Sequence, residues 1–373
     1  VLIIRFSSLG DVVLTEPATR ALRARYPRAE IHYLTKSHYE DIVGGFEAVD
    51  RVITYRADTG LSGLVRTALR LRGARYRLAV DLHGNLRSRI VRSLVRAAEV
   101  SVIKKKSFGR FLLVRFGLGR GMQWPTAGDR YKACIPGGAD GGESLAGGVP
   151  SLRVAESARK AVERLLGGKS AGSFPLVTVP LGGVAELESE SESGADAEAD
   201  ARPFIAIAPG ARWDTKMWPW ERFAEVGLSL ARQTGMKILV LGSGADRDLC
   251  ARVVRNMGEA GKNLAGETSL MEAAALLEKS SLLVTNDTGL MHLAVAVGTP
   301  TVAIFGPTSQ ELGFMPPGTL ARIIETDLPC RPCTTIGRRS CPLGSHDCML
   351  QVTTALVLRE SLTQLERRKV AKA

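Results

Sequence analysis

The sequence predicts an α/β protein of two doubly wound domains facing one another across a cleft. Three observations carry that reading. Short apolar runs of strand length alternate with stretches of helical periodicity. The rhythm weakens once, between Ala133 and Pro203, and then resumes. The 373 residues, 45% hydrophobic and 24% charged, are enough for two globular domains and short for three, and they exclude collagen, coiled-coil and disordered chains.

Val1 to Phe6 is an apolar run holding one Arg and reads as a strand; the polar turn Ser7-Ser8-Leu9-Gly10-Asp11 follows, then a helical pattern from Val12 through Leu22 that ends near Pro27. Glu30 to Leu34 and Arg51 to Tyr55 read as strands and Leu61 to Arg72 as a helix. Leu78 to Leu82 reads as a strand running into Asp81-Leu82-His83-Gly84-Asn85. Repeated βα units imply a parallel, helix-covered sheet. One further helix, Ser151 to Leu166, closes a first domain over residues 1–168. Residues 169–202 are expected to be a flexible linker or insertion. Positions 185–201 hold seven acidic side chains and no basic one, too little apolar surface to offset the entropy of ordering.

The second domain, residues 203–351, repeats the cycle. Phe204 to Ala208, Lys237 to Leu241, Ser281 to Thr285 and Thr301 to Phe305 read as strands. Glu221 to Thr234, Asp246 to Met257, Leu270 to Lys279 and Gly289 to Val297 read as helices. Apolar residues at helical spacing from Val352 to Leu365 predict a last helix within 352–373, packing back across the domains.

Charge divides the chain. Of 50 Lys and Arg and 38 Asp and Glu, residues 1–135 hold 25 basic and 11 acidic side chains, so the excess of cations lies entirely in the first domain. That half is built to meet an anion: nucleic acid, acidic lipid or phosphorylated sugar. With 5% aromatics and no Lys/Arg-rich helix, nucleic acid is disfavoured. The longest apolar stretch, Met291 to Phe305, is broken by His292, Gly298, Thr299 and Pro300, so no membrane-spanning helix is expected. The strand-like start has no basic n-region or cleavage site, so no signal peptide is expected either. Six cysteines without a secretion signal argue for the reducing cytoplasm.

Four loop segments and one cysteine cluster could carry chemistry. Asp11 lies where strand one gives way to helix one, at the sheet edge where open α/β folds place ligands; it is either a helix-capping residue or a general base facing the cleft. Pro209 to Pro219 offers backbone N–H groups, the Thr215 hydroxyl and the cations Arg212 and Lys216, which suits a diphosphate, or is a plain βα loop over packed tryptophans. Asp287, Thr288 and Gly289 open a helix whose N–H groups and positive dipole end would face a pyrophosphate. His292, one turn in, is read as a buried or capping residue and is assigned no proton transfer. Gly242-Ser243-Gly244 lacks the third glycine of a dinucleotide fingerprint, since position 247 is Arg, so a redox cofactor is not indicated; Asp248 could still contact a ribose. Cys330, Cys333, Cys341 and Cys348, spaced C-x2-C-x7-C-x6-C, are either ligands of a structural zinc or reduced structural thiols.

Phe6 to Val12, Asp81 to Asn85, Pro209-Gly210-Ala211 with Lys216 to Pro219, and Asn286 to His292, in this order, resemble glycosyltransferase family 9, the ADP-heptose:lipopolysaccharide heptosyltransferases. The resemblance runs from Val1 to about Val352, outside the acidic insertion. It implies a GT-B fold of two Rossmann-like domains and an inverting, metal-independent transfer of heptose from ADP-heptose to the lipopolysaccharide inner core. By matched position, Asp11 would be the general base. Thr215, Lys216, Asp248, Asp287, Thr288, Gly289, Leu290 and His292 would form the donor site. Ser8, Gly10, Arg56 and Arg87 are candidates for the acceptor site, with Arg66, Arg89, Lys104, Lys105 and Lys106 as further cations. The implied acceptor, a phosphorylated lipid A-core, gives the basic half a partner and implies peripheral contact with the anionic inner leaflet of the inner membrane. No cofactor is required on this reading. The cysteine-rich loop resembles the form found in heptosyltransferases of the second-heptose type. A different class fits the same pattern: a non-catalytic nucleotide-sugar or acidic-glycolipid binding protein of the same fold.

Overall fold

Leu2, Ile3 and Ile4 are all buried and form β1 (Leu2–Ile4), the central strand of a five-stranded parallel sheet. The computed structural model describes residues 1–105, 107–119, 125–136, 148–167 and 203–372. Lys106 and the linker expected over 169–202 lie outside the described residues. The helix expected over Val12 to Leu22 is two: α1 (Leu9–Val13) and α2 (Glu16–Arg25). Pro17, in the first turn of α2, has no N–H to give the carbonyl of Val13, so the helical ladder breaks there. Thr15 restarts it, its Oγ1 donating to Val12 O at 2.6 Å.

The rest of the first unit is β2 (His32–Lys36), α3 (Glu40–Gly44), β3 (Arg51–Tyr55), α4 (Gly60–Leu71), β4 (Tyr76–Asp81), α5 (Leu86–Leu94), β5 (Ala97–Val102), α6 (Ser107–Phe116) and α7 (Ala127–Lys132). Strand order is β3-β2-β1-β4-β5, all parallel. Then come α8 (Glu156–Gly167) and the second sheet. Its elements are β6 (Phe204–Ala208), α9 (Trp220–Thr234), β7 (Lys237–Val240), α10 (Arg247–Met257), β8 (Gly261–Asn263), α11 (Leu270–Lys279), β9 (Leu283–Asn286), α12 (Gly289–Ala296), β10 (Thr301–Phe305) and β11 (Ala321–Glu325), followed by α13 (Asp347–Leu350) and α14 (Thr354–Lys372). Strand order is β11-β10-β9-β6-β7-β8, all parallel. Both sheets are doubly wound and Rossmann-like, with switch points between β1 and β4 and between β6 and β9. The open crevices of such sheets lie at the carboxyl ends of those strands.

Two helices sit differently from the sequence expectation. α8, placed with the first domain, packs on α11 of the second and is pinned there by Arg159–Glu278 (2.8 Å) and Lys279–Glu163 (3.0 Å). α14, expected to cross between domains, packs on α9, β10 and β11 of the second unit, burying Val357 and Leu365. Apolar periodicity marks which face of a helix is buried but not what covers it, so it could not choose the partner.

The units share a core. One buried cluster runs from Ile3, Tyr33 and Val12 of the first to Leu276 and Leu293 of the second. α1 lies directly against α12, and two glycines make that approach possible. A Cβ on Gly10 would stand 2.5 Å from His292 Cδ2, and one on Gly289 would stand 2.8 Å from Leu9 Cβ. His292 is only 5% exposed and has nowhere to retreat. Gly10→Ala is therefore expected to destabilise the chain by about 1–3 kcal/mol, read as a lower denaturant midpoint, and unchanged stability would show that the seam can open without cost. Among the described residues no helix is long and apolar enough to cross a membrane.

Candidate functional site

The carboxyl ends of both switch points open into one cavity of about 1380 Å³, lined from the first unit by Arg5, Ser8, Gly10, Asp11 and His83, and from the second by Arg212, Lys216, Asp246, Asp287 to Leu290 and His292. A parallel sheet aims its strand ends and helix N-termini at the same edge, so the two motif-bearing edges face each other once α1 packs on α12.

On the first wall Asp11 caps α1 and also faces the cavity. Its Oδ2 accepts from Ser8 N at 3.2 Å and Ser8 Oγ at 2.9 Å, closing a capping box on α1, and its side chain remains 23% exposed to the cavity. Arg5 NH2 meets the same oxygen at 2.7 Å, and Tyr131 Oη donates to Oδ1 at 2.9 Å. Burial pushes the Asp11 carboxyl up, but Arg5 and the bonds from Ser8 and Tyr131 outweigh it and hold the group below the usual carboxylate range. Arg5 itself is 7% exposed and donates to Leu82 O at 2.6 Å, tying the ends of β1 and β4 to the carboxylate.

The Asp81 to Asn85 segment is a turn device. Asp81 Oδ1 accepts from His83 N (2.9 Å) and Gly84 N (2.8 Å), Gly84 takes φ +58°, and Asn85 caps α5 by accepting from Ser88 N. The turn carries His83 into the cavity. Burial, with Arg5 and Lys105 nearby, lowers its pKa to about 3, so it stands neutral.

On the second wall Asn286 closes the switch point: its Nδ2 donates to Pro209 O (2.8 Å) and its Oδ1 accepts from Trp218 N (3.1 Å). The loop after β6 is thereby held beside the end of β9. Lys216 Nζ meets Asp287 Oδ2 at 2.5 Å, and Thr308 Oγ1 donates to the same oxygen at 2.7 Å. Thr288 is the N-cap of α12, so the free N–H groups of that helix begin at the cavity. His292, packed over Gly10, has its pKa lowered to about 4 by burial, against the opposing fields of Asp287 and Asp11, one from each wall. It is neutral and part of the seam.

The structure brings Ser8, Gly10, Asp11, Lys216, Asp287, Thr288, Gly289, Leu290 and His292 to the cavity and leaves four candidates outside it. Thr215 is 3% exposed and turned away: its Oγ1 donates to Arg338 O (2.8 Å) and accepts from Arg338 N (2.9 Å), while His346 Nε2 meets Thr215 O at 2.9 Å. It latches the Lys216 loop to the cysteine-rich segment. Asp248 is exposed on α10, and Asp246 takes its place at the cavity, its Oδ2 held by Ser243 N (2.8 Å) and Ser243 Oγ (2.6 Å). Arg56 is exposed and paired with Asp58 at 2.6 Å, and Arg87 is exposed at the start of α5.

Cys330, Cys333, Cys341 and Cys348 lie close enough to feel one another's charge. All four are free thiols, with Cys330 exposed and Cys348 turned into the core of the second unit. Among the described residues no group of three or more His, Cys, Asp or Glu side chains could hold a metal ion. The segment is the far half of the Thr215 latch and lends Thr335 and Ile336 to the cavity wall.

Arg5 and Tyr131 were missed as site residues. Arg5 had a signal, a lone cation in an apolar strand. Tyr131 had none, being 120 residues from its partner.

The model of glycosyltransferase family 9 (heptosyltransferase) matches residues 158–343. Lipopolysaccharide heptosyltransferase 2 of Salmonella typhimurium is 25% identical over 375 residues, 96% of this chain and 97% of the relative. Among solved structures, the ADP-heptose lps heptosyltransferase II of E. coli superposes with a TM-score of 0.71 at 23% identity, covering 99% of each chain. The E. coli heptosyltransferase WaaC with ADP gives a TM-score of 0.65 at 18% identity, over 97% of this chain and 99% of that one. These two share the fold, two Rossmann-like units in the GT-B arrangement. With a matching family model, relatives alike along nearly their whole length and the same two-sheet fold, the chain belongs to glycosyltransferase family 9, the heptosyltransferases.

Proposed function

We propose that this enzyme transfers a heptose from ADP-heptose to the lipopolysaccharide inner core with inversion at the anomeric carbon and without a catalytic metal. The observation that carries the proposal is the placement of Asp11 and the Lys216–Asp287 pair on opposite walls of one cavity. An acceptor hydroxyl attacks the anomeric carbon from the Asp11 side. The bond to the diphosphate breaks on the other side, and Asp11 takes the hydroxyl proton. Opposite placement of base and leaving group is what inversion requires.

The departing diphosphate gathers negative charge, and this wall supplies fixed positive ends for it: Lys216, Arg212 and the N–H groups opening α12. Each is in place before charge develops, which is the condition for electrostatic catalysis. Asp246, anchored by Ser243, is positioned as the ribose contact assigned from sequence to Asp248. At about 1380 Å³ the cavity exceeds the roughly 300–1,000 Å³ of a single small-ligand pocket, leaving space for a nucleotide sugar and the end of an acceptor.

The relatives' descriptions name ADP-heptose and ADP, and the test follows from that. ADP at about a hundred times its Kd is expected to raise Tm by several degrees, with UDP and GDP giving far less. Incubation with ADP-heptose and a heptose-deficient core acceptor in the presence of a chelator is expected to give a product whose anomeric configuration is opposite to the donor's by NMR. A retained configuration, abolition by the chelator, or equal stabilisation by uridine nucleotides would overturn the corresponding part of the proposal.

A further inference from the structure

Beyond the cavity, the first unit carries a surface that the transfer chemistry does not use. α6 buries Leu113 but leaves Phe111 at 55% and Phe116 at 62% exposed, and Leu118 just beyond it at 58%. Their neighbour Arg115 is exposed, with its guanidinium 5.6 Å from the centre of the Phe116 ring. Between residues 100 and 128 there are six Lys or Arg and no Asp or Glu. The Gly84 turn sits against Ile103 and Lys105, and the residue opening α5, Leu86, is 73% exposed.

Exposed aromatics set among cations, with acids excluded, make a poor surface for water and a good one for an anionic bilayer. Rings enter the boundary between headgroups and acyl chains, and Lys and Arg meet the phosphates. The patch also stands beside the reaction: Arg110, on the same helix, lies 4.8 Å from the centre of the Phe314 ring, and Phe314 lines the cavity. We propose that α6 and the segment following it, through Phe111, Arg115, Phe116 and Leu118, seat the enzyme on an anionic lipid surface with the cavity mouth at the membrane. This rests on the reading that the acceptor is lipid-linked, and it names the surface that meets the lipid.

The test is flotation of the full chain with vesicles of phosphatidylethanolamine and phosphatidylglycerol, against vesicles of phosphatidylcholine alone. Binding is expected on the anionic vesicles, weakening with salt. The Phe111→Ser/Phe116→Ser/Leu118→Ser variant and, separately, Arg115→Glu are each expected to lose roughly tenfold in partitioning. Unchanged Tm in both variants shows that the loss is not unfolding. Flotation needs neither donor nor acceptor, so its result stands apart from the transfer reaction. Turnover of the triple variant on a short, lipid-free acceptor is expected to match the unmodified chain. The proposal is overturned if the triple variant floats as well as the unmodified chain, if neutral vesicles bind equally, or if the patch instead joins two copies. The last would appear as a dimer without vesicles that the triple variant dissociates.

Discussion

Asp11→Asn is expected to lower kcat for heptose transfer about a thousandfold while ADP affinity stays nearly unchanged. Asn keeps the shape: its carbonyl oxygen can still accept from Arg5 and Ser8, and its amide can donate to the Tyr131 hydroxyl, so the wall persists without the proton acceptor. Some stability is lost, because Arg5 is 7% exposed and would face a neutral partner. Nucleotide binding is expected to be spared because, on the proposed reading, the diphosphate is held from the other wall. Residual transfer within a few fold of the unmodified enzyme would remove Asp11 from its role.

The pH profile gives a second handle on the same group. Asp11 must be ionised to accept a proton, and Arg5, Ser8 and Tyr131 keep it ionised below the ordinary range. The acid limb of kcat/KM is therefore expected beneath the usual Asp value of about 3.9, and Arg5→Gln should move it upward. The sign for stability is the same. A carboxylate with a depressed folded pKa contributes above its unfolded value, and that contribution disappears as pH falls through the folded one. A low pKa also weakens a base; on the proposed reading, an acceptor covering the exposed part of Asp11 would remove water and push the carboxyl up.

How far the sequence could be read depended on what each residue needed from its surroundings. β6 and β10 are buried on both faces and therefore appear as unbroken apolar runs, legible from five residues. β5, β8 and β11 escaped notice because they are sheet edges, half exposed, and need no such run. The glycine-rich turns were legible because backbone N–H groups can face an anion only where no side chain intervenes. Asp246 against Asp248 was not, because the choice is one of helix phase. Two residues correspond to about 200° around a helix, and only the fold says which direction is the cavity. Thr215 failed for a related reason: its hydroxyl is committed to Arg338, 123 positions away, through a contact no local pattern contains.

Lys216→Ala is expected to cost about two to three orders of magnitude in kcat/KM, with the donor's KM rising as well. Two effects combine. The cation that would meet the diphosphate is gone, and Asp287, 8% exposed, loses the ammonium at 2.5 Å and keeps only Thr308. An uncompensated, largely buried carboxylate then faces an incoming anion. The second effect can be separated from the first. Asp287→Asn added to Lys216→Ala removes the repulsion without restoring the cation, so the double variant should recover donor binding while its kcat stays low. A double-mutant cycle in Kd and kcat makes the coupling measurable. If Lys216 served only to neutralise Asp287, the double variant would regain kcat along with affinity. If the diphosphate is held elsewhere, Lys216→Ala alone would leave both constants where they were.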